Sequence, residues 1–289
     1  MSSELLQLTV NGLMAGSTIA LPAVGLSLIF AVQRITNFSM AAHVAVGAFV
    51  GYVSNTYFGV PFVGTLIFAF ILAGLVGVFT DRIALQPLRG GGPLIVAIGS
   101  MALNMVLENA LRMLFGNDVR SLDVPIMRDV VWGNIRIAPQ QFENLGLAVV
   151  AMGLLFGLLT FTSIGRAMRA VADNPQLADI KGIDPRRIST ISNFIGMGLG
   201  GASGIILATN TAITPDMGFL IIISVFAAAV VGGLGNVTGA VVGAILIGVA
   251  EEWSTLILPV NYRSAIGFVA IIMTLALLPR GILGGRQTI

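Results

Sequence analysis

The sequence predicts an all-α polytopic membrane protein with about eight to ten transmembrane helices, some short or broken, and one small hairpin in an external loop. Three observations predict it. Of 289 residues, 56% are hydrophobic and only 10% charged, where soluble domains carry about a quarter. Mean hydropathy is +0.96. The apolar residues also fall into runs close to the ~20 that a helix needs to cross a bilayer.

Those runs lie near 5–32, 38–53, 62–80, 94–115, 142–162, 190–209, 219–233, 238–256 and 263–279. Helices are the expected state, because lipid offers no partner to an open backbone. The start, MSSELLQLTV, has Glu4 and no basic residue, so it reads as a retained helix rather than a cleaved signal. Pro22 inside the first run removes a backbone donor and should kink it. Runs 38–53 and 219–233 are short, so tilted, broken or re-entrant helices are expected there. Segment 116–141 is the long outer loop, and VVWGNIRI within it reads as a hairpin turning at Gly133-Asn134. The whole chain, 1–289, is expected to form a single transmembrane domain.

One polar island interrupts this pattern. Ser163 to Ser189 carries Arg166, Arg169, Lys181, Arg186 and Arg187 against Asp173, Asp179 and Asp184. So long a charged loop in so apolar a chain suggests that a soluble partner docks there. If it is cytoplasmic, alternation of the spans puts Arg34, Arg82, Arg89, Arg280 and Arg286 on the same side. Ten of the 15 basic residues then share one side, as the positive-inside rule requires. The expected topology is N-terminus periplasmic, C-terminus cytoplasmic. Arg120, Arg128 and Arg136 stand outside among Asp118, Asp123 and Asp129, with Arg112 and Arg263 at outer helix ends.

Several chemistries lack support. Net charge is only +2 and there is no cysteine, which leaves no basic nucleic-acid surface and no thiolate metal site. The only lysine, Lys181, precedes Gly182 rather than Ser or Thr, so no phosphate-binding Walker loop exists. Gly201-Ala202-Ser203-Gly204 imitates an intramembrane serine protease motif, but the only histidine, His43, lies far upstream. Asn174-Pro175 is followed by Gln176 within the charged loop, which removes a water-channel signature. No catalytic residue and no metal ligand is expected.

Glycines four apart, as in Gly12/Gly16, Gly47/Gly51, Gly196/Gly200/Gly204 and Gly235/Gly239/Gly243, read as helix-packing seams. Asn37 to Gly51 and Asn236 to Gly248 share an Asn-led, glycine-rich pattern, a faint internal repeat. Ionisable groups inside spans are candidate pathway residues. Glu108 and Arg112 are four apart and suit an ion pair on one helix face. Glu251 and Glu252 are adjacent, about 100° apart on a helix, so one is expected to face inward.

The segments NGLMAGSTIALPAVGLSLIFAVQRITNF, GGGPLIVAIGSMALNMVLENALRMLFGND, TSIGRAMRAVADNPQLADIKGID, ITPDMGFLIIISVFAAAVVGGLGNVTGAVVGAILIGVAEE and LLPRGILGG occur in this order across nearly the whole chain. Together they resemble the permease subunits of branched-chain amino acid ABC importers. That family usually reads Asn-Phe-Ala-His-Gly where this chain reads Asn37, Phe38, Ser39, Met40, with His43 three places late. Pro22 stands where alanine is more usual.

The resemblance implies an ATP-driven, binding-protein-dependent importer in a bacterial inner membrane. The solute would be a hydrophobic or branched-chain amino acid, or a related amide, urea or small carboxylate. Expected partners are a second related permease, two cytoplasmic ATPases and a periplasmic binding protein. The chain would hold no cofactor, ATP and magnesium residing on the ATPases. Gly165, Arg166, Arg169, Asp173, Asn174, Ala178 and Gly182 are the expected ATPase-coupling residues, within one short helix from Gly165 to Gly182. Asp173-Asn174-Pro175 suits a helix start, and Gly182 a left-handed helix exit. Asn37, His43, Asn104, Glu108 and Glu251 are the expected pathway residues. The alternative is a secondary transporter or channel using Glu108 or Glu251 as an ion site.

Overall fold

A computed structural model describes residues 2–122, 130–132, 135–259 and 262–284. Among these, each apolar run becomes a helix. They are α1 Ser2–Gln33, α2 Met40–Thr56, α3 Phe62–Thr80 and α4 Pro93–Phe115. After a small hairpin, β1 Val130–Trp132 with β2 Ile135–Ile137, follow α5 Pro139–Phe161, α6 Ser163–Asp173, α7 Pro175–Ile180 and α8 Pro185–Ala208. The chain ends with α9 Met217–Gly232, α10 Val237–Ser254 and α11 Ala265–Leu277. Among the described residues, six helices are long and apolar enough to cross a membrane. The protein is an all-α polytopic membrane protein.

The two short runs give short helices, α2 of 17 residues and α9 of 16, and α11 is shorter still at 13. At 1.5 Å per residue these are about 26, 24 and 20 Å long, all short of a ~30 Å hydrocarbon core. Helix α1 is continuous through Pro22. β1 and β2 pair antiparallel, Val130 opposite Ile137. The Gly133-Asn134 turn, Asp123, Arg128, Asp129 and Arg286 lie outside the described residues.

α1 and α8 form the buried centre. Helix α8 packs on α1, α2 and α3, and α1 packs on α10. Small residues make these seams, because association in lipid relies on close backbone contact. A Cβ on Gly25 would overlap the Gly196 carbonyl between α1 and α8. One on Gly47 would overlap Gly201 between α2 and α8. The glycine spacing is thus a packing code.

The bundle has two distinct ends. At one, the segment after α11 returns to the α9–α10 turn: Ile282 N–H donates to Val231 O at 2.8 Å and Asn236 Nδ2 to Leu283 O at 2.6 Å. Gly235 N–H of that turn donates to Ser27 near the end of α1. At the other end, the Gln7 side chain pairs with both backbone groups of Arg136 at 2.8 Å, tying the hairpin to α1.

Candidate functional sites

Between α5 and α8 the polar loop folds as two helices, which corrects the expected single helix from Gly165 to Gly182. Asn174 separates them. Its backbone is extended, and its Oδ1 accepts from Leu177 N–H at 2.9 Å, capping α7. Asp173 is instead the exposed last residue of α6. Pro175 at the first position of α7 has no N–H to satisfy. Thr162 caps α6 through Gly165 N–H, and Asp184 caps α8 through Arg186 N–H. Gly182, at φ 84°, supplies the left-handed exit.

The two helices differ in what they show to solvent. In α6, Gly165, Met168 and Val171 recur every third residue and are buried. Arg166 and Arg169 are exposed. A Cβ on Gly165 would overlap the Leu159 carbonyl at the end of α5, so only glycine fits. Arg169 Nη1 donates to that same carbonyl, which ties α6 to α5. In α7 only Ala178 is buried. Leu177 is 54% and Ile180 81% exposed at the tip. Sequence reading by charge passed over these two residues; the usable signal was an apolar pair inside a polar loop.

The end of α1 gathers the connections of this loop. Arg34 Nη2 donates to Ala172 O of α6 at 3.1 Å. Gln33 Nε2 donates to Ser189 O of α8 at 3.0 Å, and Gln33 Oε1 accepts from Arg89 Nη2 at 3.0 Å. Arg89 also grips both oxygens of Asp81, at 2.7 and 2.8 Å. Asp81 opens a π-helical turn, Asp81–Leu85, continuing α3 into a 3-10 turn. Such turns occur often at functional sites. Gln33 therefore bridges α8 to the end of α3.

The expected pathway residues lie in three places. Asn37 is buried, and its Oδ1 accepts from the N–H and hydroxyl of Ser39, shaping the entry to α2. His43 is fully buried near α3, with Nδ1 2.8 Å from Ser39 O and Nε2 without a partner. Asn104 and Glu108 lie on α4. The Asn104 Oδ1 is unpartnered, and Glu108 pairs with Arg112 one turn on. Glu251 stands apart from all four.

Glu251 lines an open cavity of about 640 Å³ at the hairpin end, bordered by α1, α5, α9, α10 and the ends of α8 and α11. It is 4% exposed and accepts the Ser224 hydroxyl. Arg263 Nε lies 3.8 Å away, while Arg263 Nη2 pairs with Glu252. Glu251 faces inward and Glu252 is only partly buried, as their angular offset requires. Asn11, Thr18, Gln141, Asn144, Asn210 and Thr211 add further polar groups to the wall. Neither Asn144 nor Ser224 stands out in the sequence, because a lone amide or hydroxyl in a span resembles ordinary packing.

Comparison with known proteins gives these features a family. The chain is 30% identical over 293 residues to the high-affinity branched-chain amino acid transport system permease protein BraD of Pseudomonas aeruginosa, covering 96% of this chain and 95% of that one. It is 30% identical over 280 residues to the probable branched-chain amino acid transport permease protein LivH of Methanocaldococcus jannaschii, covering 92% and 88%. LivH of Escherichia coli is 26% identical over 300 residues, covering 96% and 95%. A solved structure, PsaBC from Streptococcus pneumoniae in complex with Fab, shares the fold with a TM-score of 0.50 at 12% identity, covering 97% of both chains. Residues 8–277 match the model of one family, so the chain belongs to the branched-chain amino acid transport system permease components.

Proposed function

We propose that this permease is one membrane half of an ATP-driven importer of branched-chain or related hydrophobic amino acids. Its relatives' names supply the solute class. It works in a bacterial inner membrane with a second permease, two ATPases that hold ATP and magnesium, and a periplasmic binding protein. The N-terminus is periplasmic and the C-terminus cytoplasmic. Arg34, Arg89, Arg280 and the 163–189 loop share one end of the bundle, which supports that orientation.

The observation that carries the reading is the α6–α7 pair, a capped, polar, two-helix element whose tip exposes Leu177 and Ile180. Leu177 and Ile180 seat in a groove of an ATPase. Arg166, Asp173 and the α7 residues around Ala178 form the rim of that contact, while Gly165, Arg169, Asn174 and Gly182 hold the element in shape. ATPase closure moves α6–α7, and the Ala172–Arg34 and Ser189–Gln33 bonds carry the movement to α1. Arg89 and Asp81 pass it to α3. Coupling of this kind requires two states that differ at the contact. Solute then passes by alternating access, with Glu251 in its path at the outer end and Asn37, His43, Asn104 and Glu108 as further stations.

Purification from the native host in mild detergent, with mass spectrometry of stoichiometric partners, tests this. Two ATPase copies and a second permease are expected. A lone chain with intact transport would contradict the proposal and favour a gradient-driven carrier.

A further inference from the structure

The Glu251 cavity holds an acceptor that nothing in the protein uses. Asn144 is 3% exposed, and its Nδ2 donates to Thr209 Oγ1 at 2.8 Å. The Thr209 hydroxyl proton is committed to Ile206 O at 2.7 Å, so Thr209 must accept there. That fixes the orientation of the amide, leaving Oδ1 as the unpartnered group. Leaving a buried acceptor without a donor is costly, so it calls for an occupant.

The wall favours one kind of occupant. Glu251 and Glu252 face a single guanidinium, Arg263, and no other charged side chain among the described residues lines the cavity. Two carboxyl groups thus share one guanidinium. Ser224 spends its hydroxyl on Glu251, while the side-chain amides of Asn11, Gln141 and Asn210 can donate as well as accept. Met14, Ile19, Leu220 and Ile221 line the same space. A surplus of carboxyl groups over cations beside an apolar wall suits a cation with an aliphatic tail. The cavity's size is that of ordinary small-molecule sites.

We propose that this cavity is a binding site for an aliphatic primary ammonium, received by Glu251 and the Asn144 carbonyl oxygen, with the alkyl group against Met14, Ile19 and Ile221. It rests on the importer reading only for the identity of the natural solute. The ammonium of an amino acid would be held here, within one permease subunit. A solute without an amine would be disfavoured, because burying the Asn144 acceptor against it leaves that oxygen unmatched.

Calorimetric titration of the purified permease–ATPase complex, with the periplasmic binding protein left out, tests this with L-leucine, isopentylamine, isocaproate and sodium ion. Saturable binding of leucine and isopentylamine, but not of isocaproate or sodium, is the expected result. Glu251→Gln and Asn144→Leu should each weaken isopentylamine about tenfold or more, as loss of a charged or buried hydrogen bond does. The series on the unaltered protein needs no variant to fold. Equal binding of isocaproate, equal binding of sodium, or no binding of isopentylamine would overturn the proposal. ATP-driven uptake of leucine by the same complex, with the binding protein restored, reports separately on the importer reading, which stands if uptake persists without amine discrimination.

Discussion

Arg34 at the end of α1 holds the Ala172 carbonyl of α6 at 3.1 Å across 138 residues of sequence. It does so from a left-handed backbone, φ 56°, alone among the described non-glycine residues. That conformation costs roughly 1 kcal/mol or more in any L-residue other than glycine, and the bond to α6 accompanies it. Arg34→Gly would relieve the backbone while removing the guanidinium. Thermal stability should hold or rise, while ATP hydrolysis proceeds with uptake reduced. Paired assays of uptake and hydrolysis on the assembled complex check this.

Gln33 makes the companion link. Gln33→Leu removes the bonds to Ser189 and Arg89 together, and coupling should fall further than in a variant that loses one of them. Asp81→Asn should destabilise the chain by about 2 kcal/mol, the scale of a charge-assisted pair left incomplete. Asp81→Asn with Arg89→Gln should recover part of that loss. Chemical denaturation in detergent, analysed as a double-mutant cycle, measures it.

Gly165 and Gly182 are constrained differently, and their variants should separate. A Cβ on Gly165 meets the Leu159 carbonyl, whereas one on Gly182 meets nothing within 4 Å. Gly182→Ala should therefore cost only about 1 kcal/mol, from its positive φ. Gly165→Val should displace α6 from α5 and abolish assembly with the ATPase. Melting temperature and ATPase co-purification distinguish the two.

Much of this was legible in the sequence. Each apolar run gave a helix, because twenty apolar residues in lipid leave the backbone little choice. The polar island and its Gly182 exit were also readable, since each rests on local backbone chemistry. The split into α6 and α7 was not read, because Asp173 and Asn174 both suit a cap and only the extended backbone at Asn174 decides between them. The cavity was the least legible part. Asn144 and Glu251 are more than a hundred positions apart, and no periodicity announces that α5 and α10 share a wall. Glu251 stood out only because a carboxylate in a span is costly.

Asn236 carries two jobs at the other side of the molecule. Its Oδ1 caps α10 through Gly239 N–H at 3.0 Å, and its Nδ2 holds Leu283 O. Asn236→Ala should cost about 1–2 kcal/mol through the cap and loosen the segment after α11. Faster proteolysis within 278–284, with the rest of the chain protected, is the expected readout.

The most direct measurement is ATP-driven uptake and ATPase retention for Leu177→Asp with Ile180→Asp, made in the full chain. Both side chains are exposed at the tip of α7, so folding and membrane insertion should be unchanged. Loss of ATPase retention and of uptake, with an unaltered melting temperature, is the predicted result. Full uptake with the ATPases still bound would show that α7 is an ordinary connector and that the driving contact lies elsewhere.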